Sequence, residues 1–160
     1  VCKAVKASPE NMLKKIETLI ADQKQTAKEL ESIKAKMAGG TADRILNSAV
    51  DIKGIKLVCA DVKDTDANAL RTLGDQLKNK LGSGVIVLAS ANDGKVNLLA
   101  MATDYAVKAG AHAGNIVKAA ASVCGGGGGG RPNMAQAGGK DASKITEALA
   151  KAKEVLEEQL

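Results

Sequence analysis

Six consecutive glycines, Gly125 to Gly130, run directly into Arg131, and Lys140 follows nine residues later. No other stretch of the chain has residue types so suited to holding a ligand. Glycine has no Cβ, so its backbone reaches φ > 0 and can approach a ligand closely. Successive N–H groups pointing one way form a nest for an anion. From Tyr105 to Lys140 there is no acid, while Lys108, Lys118, Arg131 and Lys140 each add a positive charge. The block also leads into a helix start near Asp141, a second place that suits anions. This chemistry is contact with phosphates. Composition alone favours a flexible linker for a glycine run. Its position argues for a folded part, because both flanks carry the apolar patterns of helices. No Gly-Lys-Ser or Gly-Lys-Thr closes the run, so it is not a P-loop.

The remaining reactive residues are sparse. His112 is the single histidine, and a lone His is more often a helix-start or packed residue than a catalyst. Cys2, Cys59 and Cys124 have no metal or redox spacing. With no clustered ligands and no paired acids, neither a metal site nor a Cys/His nucleophile is expected. The expected catalytic and metal residues are therefore none. Tyr105 is the only aromatic, which excludes recognition by several stacking rings. The 160 residues carry a net charge of +5. No stretch approaches the roughly 18 apolar residues of a membrane span, so no membrane partner is expected. The chain opens on Val1, without a signal or transit peptide, and reads as a piece of a longer protein. Its unpatterned cysteines fit a reducing cytoplasm.

The elements that must position the glycine block follow from periodicity. Ser8-Pro9-Glu10 has the residue types of a helix start. Leu13, Ile16, Ile20, Ala27, Leu30 and Met37 then form one stripe. Gly39-Gly40 is expected to end this helix. At about 45 Å it is long enough for its stripe to meet another helix, either in this chain or in a second copy. A short helix or turn follows at 41–47. Ile55 to Val62 reads as a strand, and Leu70, Leu73, Leu77 and Leu81 mark one face of a helix. Val85 to Ser90 is a central strand. Asn92-Asp93-Gly94 turns it into a return strand from Lys95 to Thr103. A helix from about His112 to Val123, the glycine loop at 125–130 and a final helix capped by Asp141 complete the order. The fold class is α/β: a small mixed sheet with helices packed on it. A helical arm over residues 1–40 precedes a globular domain over 41–160.

The residues from Gly82 to Leu156 also resemble a known family. Gly82-Ser83-Gly84-Val85-Ile86-Val87-Leu88-Ala89, the hairpin Asp93-Gly94-Lys95-Val96, His112-Ala113-Gly114, and above all the block from Gly125 to Asp141 are similar to the C-terminal domain of alanyl-tRNA synthetase. This module is called the DHH-associated domain. A glycine run followed by Arg-Pro-x-x-Ala-Gln-x-Gly-Gly marks the synthetase version; related DHH phosphodiesterases carry a shorter Gly-Gly-His version. The long helix fits the arm that precedes the domain.

The resemblance implies a tRNA-binding module that holds the tRNA elbow for aminoacylation and editing by domains elsewhere in the parent synthetase. It implies contacts from Gly125, Gly126, Gly127, Gly128, Gly129, Gly130, Arg131 and Lys140, helped by Lys118 and His112. It implies no cofactor in this segment, whereas the parent enzyme uses ATP, Mg and an editing-domain Zn. It also implies a contribution to homodimer formation. Two alternatives stand beside it: a structural dimerisation module working through the long helix, and the substrate-binding half of a DHH-type phosphodiesterase.

Overall fold

The computed structural model describes residues 12–92 and 94–160. The helix start at Ser8-Pro9-Glu10, and Asp93 of the tight turn, lie outside them. The chain divides into two compact units, residues 1–40 and 41–160.

Helix α1 is Met12–Leu46. It does not end at Gly39-Gly40 but passes through both glycines. Each glycine costs a helix interior about 1 kcal/mol relative to Ala. Ala42 and Ile45 are buried in the second unit, and that burial favours the extra turns over the stop. The Ser48 hydroxyl donates to the Ile45 carbonyl (2.6 Å) just past the last turn. Further back, Ile16 and Ile20 of the apolar stripe are exposed, at 38% and 58%.

The second unit is built on a six-stranded mixed sheet of order β1-β2-β3-β4-β6-β5. Strands β1 (Val50–Ile52) and β2 (Ile55–Asp61) form a hairpin. Its turn needs φ > 0 twice, and Lys53 (52°) and Gly54 (86°) supply it. Strand β3 (Gly84–Asn92) runs parallel to β2, as a crossover through helix α2 (Ala67–Leu81) requires. Strand β4 (Lys95–Ala102) returns antiparallel, with Asn92 opposite Lys95 and Gly94 at φ 74°. The short helix α3 (Asp104–Lys108) and helix α4 (Ala113–Val123) follow. A 3₁₀ turn capped by Asp141 leads into the last helix, α5 (Ile145–Gln159).

The glycine block is not a loop. Gly127–Arg131 is strand β5, hydrogen-bonded to β6 (Met134–Gly139), and β6 is in turn paired with β4.

Alternation along the strands sends side chains to two cores. On one face Leu57, Val85, Val87, Leu98 and Ala100 meet Ile116 and Val117 of α4 and Ala152 and Leu156 of α5. On the other, Val58, Ile86, Leu88, Leu99 and Met101 are buried on the side that α2 covers with Leu70, Leu73 and Leu77. Gly74 sets how closely α2 sits: a Cβ there would stand 2.8 Å from Leu99 Cδ2 and 2.9 Å from Met101 Sδ. The buried Ser90 hydroxyl donates to the Thr65 carbonyl (2.7 Å) and accepts from the Thr65 N–H (3.1 Å), which pins the start of the crossover.

Candidate nucleic-acid interface

Strand β5 is held at both ends rather than by its side chains. At its start, Gly125 takes φ 63°, and the Gly126 N–H donates to the Ala121 carbonyl at 2.9 Å. The Cys124 carbonyl accepts from both the Lys140 and Asp141 N–H groups. At its far end, Arg131 pairs with Met134 around a two-residue turn. The Pro132 carbonyl of that turn accepts from the Ala113 N–H (2.9 Å), and the Asn133 carbonyl from the Ala102 N–H (3.0 Å).

The glycines divide into two sets. A Cβ on Gly126, Gly128 or Gly130 would collide with β6 or the chain next to it. The nearest atoms would be the Gly138 carbonyl oxygen for Gly126, the Ala137 Cα and Cβ at 2.4 Å for Gly128, and the Ala135 Cα at 2.7 Å for Gly130. Gly114, at the start of α4, belongs with them, because its Cβ would stand 2.6 Å from the Gly130 oxygen. A Cβ on Gly127 or Gly129 would meet nothing within 4 Å. The register explains the split. Gly128 and Gly130 face the same way as Ala137 and Ala135, toward the α4 core. Gly127, Gly129 and Arg131 face the α2 side with Gly138, Gln136 and Met134.

Three cross-strand rows result on the α2 side: Asn97, Gly138, Gly127; then Leu99, Gln136, Gly129; then Met101, Met134, Arg131. Helix α2 covers the β4 member of the middle and last rows and leaves β6 and β5 open. The uncovered area is a shelf about 10 Å across and 14 Å long. Two adjoining clefts lie along it. One, of about 360 Å³, is bounded by Ala67, Leu70, Asn97, Gly127 and Gln136. The other, of about 520 Å³, is bounded by Arg71, Asp75, Lys78, Arg131, Asn133 and Gln136. Gln136 belongs to both. The second cleft gathers three cations against one acid, all at least partly exposed.

The expected site residues distribute unevenly around this shelf. Gly127 to Arg131 border it. Lys140 is exposed beyond the other end of β6, roughly 20 Å of strand from Arg131, so a single phosphate does not bridge the two. Lys118 projects from the exposed side of α4, across the sheet from α2. His112 caps α4: its Nδ1 accepts from the Asn115 N–H (3.3 Å), and its own N–H donates to Gln159 Oε1 (2.7 Å). Its side chain therefore has a structural role beside the Pro132 turn.

Arg71, Lys78, Asn97 and Gln136 are additions from the structure. Arg71, Asp75 and Lys78 stand at helical spacing beside the buried Leu70, Gly74 and Leu77, but only the tertiary fold aims that flank at β5. Asp141 at the base of the hairpin has its carboxyl pKa lowered, chiefly by the Ser143 hydroxyl that donates to it. Among the described residues no three His, Cys, Asp or Glu side chains converge as a metal site. No helix among them is long and apolar enough to cross a membrane.

The six-stranded mixed sheet with helices on both faces places the chain in the α/β class. Residues 54–158 match the model of the DHHA1 domain, and the chain belongs to that family. Along its length it is similar to alanine--tRNA ligases. It is 52% identical over 158 residues to "Alanine--tRNA ligase 1" of Lachnoclostridium phytofermentans, covering 99% of this chain. It is 50% identical over 160 residues to the enzyme of Acetivibrio thermocellus, covering all of this chain. In both cases it spans 18% of the relative's length. Among solved structures, the C-Ala domain of Aquifex aeolicus alanyl-tRNA synthetase superposes with a TM-score of 0.62 at 28% identity, over 69% of this chain and 98% of that one. Thermus thermophilus RecJ shares the fold, with a TM-score of 0.57 at 12% identity, over 80% of this chain and 18% of that one.

Proposed function

We propose that the chain is the tRNA-binding module of an alanyl-tRNA synthetase, holding the tRNA elbow while other parts of the enzyme act on the acceptor end. One observation carries the reading: a strand of four glycines ending in Arg131, pinned at both ends, borders a cleft with Arg71 and Lys78. Cations placed this way neutralise phosphates and release counterions, which gives affinity without reading sequence. Exposed backbone on a glycine strand lets an RNA surface come close. The single aromatic suits such recognition by backbone and shape. In this reading the cytoplasm is the compartment, and the partners are tRNA and the rest of the synthetase.

A titration with intact tRNA and with a minihelix lacking the elbow tests the assignment. The chain should bind intact tRNA more tightly; equal affinity for the two RNAs removes the elbow.

A second reading rests on α1. Ile16 and Ile20, one turn apart on its stripe, are both exposed, and such a pair fits against a second copy of the helix. Light scattering across a concentration series should show a dimer that Ile16→Lys with Ile20→Lys dissociates. A monomer at the highest concentration refutes it.

A further inference from the structure

Gly39 and Gly40 lie inside α1 rather than at its end. Gly54 and Gly82 have a conformational reason to be glycine, since both are left-handed. Gly74 has a packing reason, since a Cβ there would strike Leu99 and Met101. Gly40 has neither. It is helical, and a Cβ on it would meet nothing within 4 Å. Glycine leaves a helix interior unrestrained, and it is the residue at which helices most readily stop by turning left-handed. Where a helix kinks sharply, small residues in tandem are among the few causes.

The pair coincides with the border between the two compact units, residues 1–40 and 41–160. Directly after it the helix is fastened. Ala42 and Ile45 are buried, the Asp43 carboxylate accepts from Lys80 Nζ of α2 (2.5 Å), and the Ser48 hydroxyl closes the last turn on the Ile45 carbonyl. Before the pair, Ile16 to Thr18 and Ile20 to Ala27 are all exposed. The helical bonds that cross the glycines join the N–H groups of residues 40–44 to the carbonyls of residues 36–40. A break at the pair gives up those bonds and leaves the burial of Ala42 and Ile45 in place. The contacts that hold residues 42–46 do not guard the turn before them.

We infer that Gly39-Gly40 is a hinge: α1 alternates between a continuous helix and one broken at the pair, so that the arm before it changes direction while residues 42–46 stay seated. A left-handed glycine caps the broken state and satisfies carbonyls that the break frees. Alanine at both positions would remove that cap and favour the continuous helix. Such a joint lets the second unit reorient with its core intact. The hinge stands on α1 alone and does not rest on the RNA-binding function proposed above.

The test uses the whole chain and the double variant Gly39→Ala with Gly40→Ala. Spin labels on non-natural side chains at positions 23 and 122, both exposed, leave the cysteines untouched. Labelled chain is diluted in unlabelled chain, so that only distances within one molecule are read. The unmodified chain should give a broad distribution of distances, and the variant a narrow one. Hydrogen exchange at residues 40–44, corrected for intrinsic rates, should slow roughly tenfold or more in the variant, with β3 unaffected. A distribution as narrow in the unmodified chain as in the variant overturns the hinge. So does one that stays equally broad in both, because the motion then lies elsewhere in the arm. Neither measurement involves RNA, so failure of the tRNA reading and failure of the hinge are separate results.

Discussion

Gly128 lies opposite Ala137 so closely that a Cβ on the glycine would stand 2.4 Å from the alanine Cβ, whereas its neighbour Gly129 faces open space. Adjacent glycines in one strand therefore answer to different constraints. Gly128→Ala should destabilise the second unit by about 1–3 kcal/mol, the usual cost of overpacking. Gly129→Ala should be neutral or stabilise it by about 0.5 kcal/mol, because it lowers the entropy of the unfolded chain. Urea unfolding of the two variants decides. Equal effects would mean that β5 is not paired with β6 as described.

The start of α4 touches the same strand. Gly114→Ala would press a methyl group against the Gly130 carbonyl. Hydrogen exchange should then speed up across Gly127 to Arg131 while β3 and β4 stay protected. Unchanged exchange in β5 would contradict the contact.

His112 is expected to matter for the fold before it matters for any ligand. His112→Ala removes the acceptor for the Asn115 N–H and should cost about 1 kcal/mol. His112→Asn, a good cap, should recover most of it. If Asn fails to rescue, the imidazole does something other than capping.

Thr103 closes the two central strands at one end. Its buried hydroxyl accepts from the Gly84 N–H at 2.9 Å, and its own N–H donates back to the Gly84 carbonyl at 3.0 Å. Thr103→Val keeps the shape and strands a buried donor, so a loss of about 1–3 kcal/mol is expected. A thermal midpoint unchanged within error would refute this.

Cys59 gives a pH signature. Burial, slightly offset by the charge of Lys153, pushes its thiol from 9.0 up to about 11. The unfolded thiol ionises first as pH rises, so the native state holds the extra proton in between. Stability linked to Cys59 is thus intact below pH 9 and lost as pH climbs through 11. The urea midpoint should fall between pH 8.5 and pH 10.5, and fall less in Cys59→Ala. Cys124, raised chiefly by burial as well, should retain the remaining slope. A flat profile in the unmodified chain would be incompatible with the raised, half-buried Cys59 thiol.

Much of the central architecture is readable from the chain. The apolar run Val85 to Ser90 makes a central strand because both its faces are covered. The Leu70, Leu73, Leu77 stripe makes a covering helix. What periodicity could not reach was strand β5. Glycine has low strand propensity and no side chain to alternate, so its pairing is set by the Ala135 and Ala137 it lies against. Strand β1 is too short to show a period. The end of α1 is not legible locally: propensity favours a stop at Gly39-Gly40, while the burial of Ala42 and Ile45 outweighs it. For the site, Arg131 and the glycines stand out as types. Arg71 and Lys78 do not, because only the crossover through α2 aims them at the hairpin.

A sheet that does not close on itself has two borders, and each is a template on which a stray chain can add a strand. Here one border is three residues long and the other is glycine and one arginine. Neither offers the run of branched or aromatic side chains that stacks into a fibril. The molecule therefore protects its flanks from aggregation without placing lysines or prolines along the strands. A β-branched residue at Gly127 or Gly129 would forfeit that protection: the variant would fold, yet lose solubility as it is concentrated.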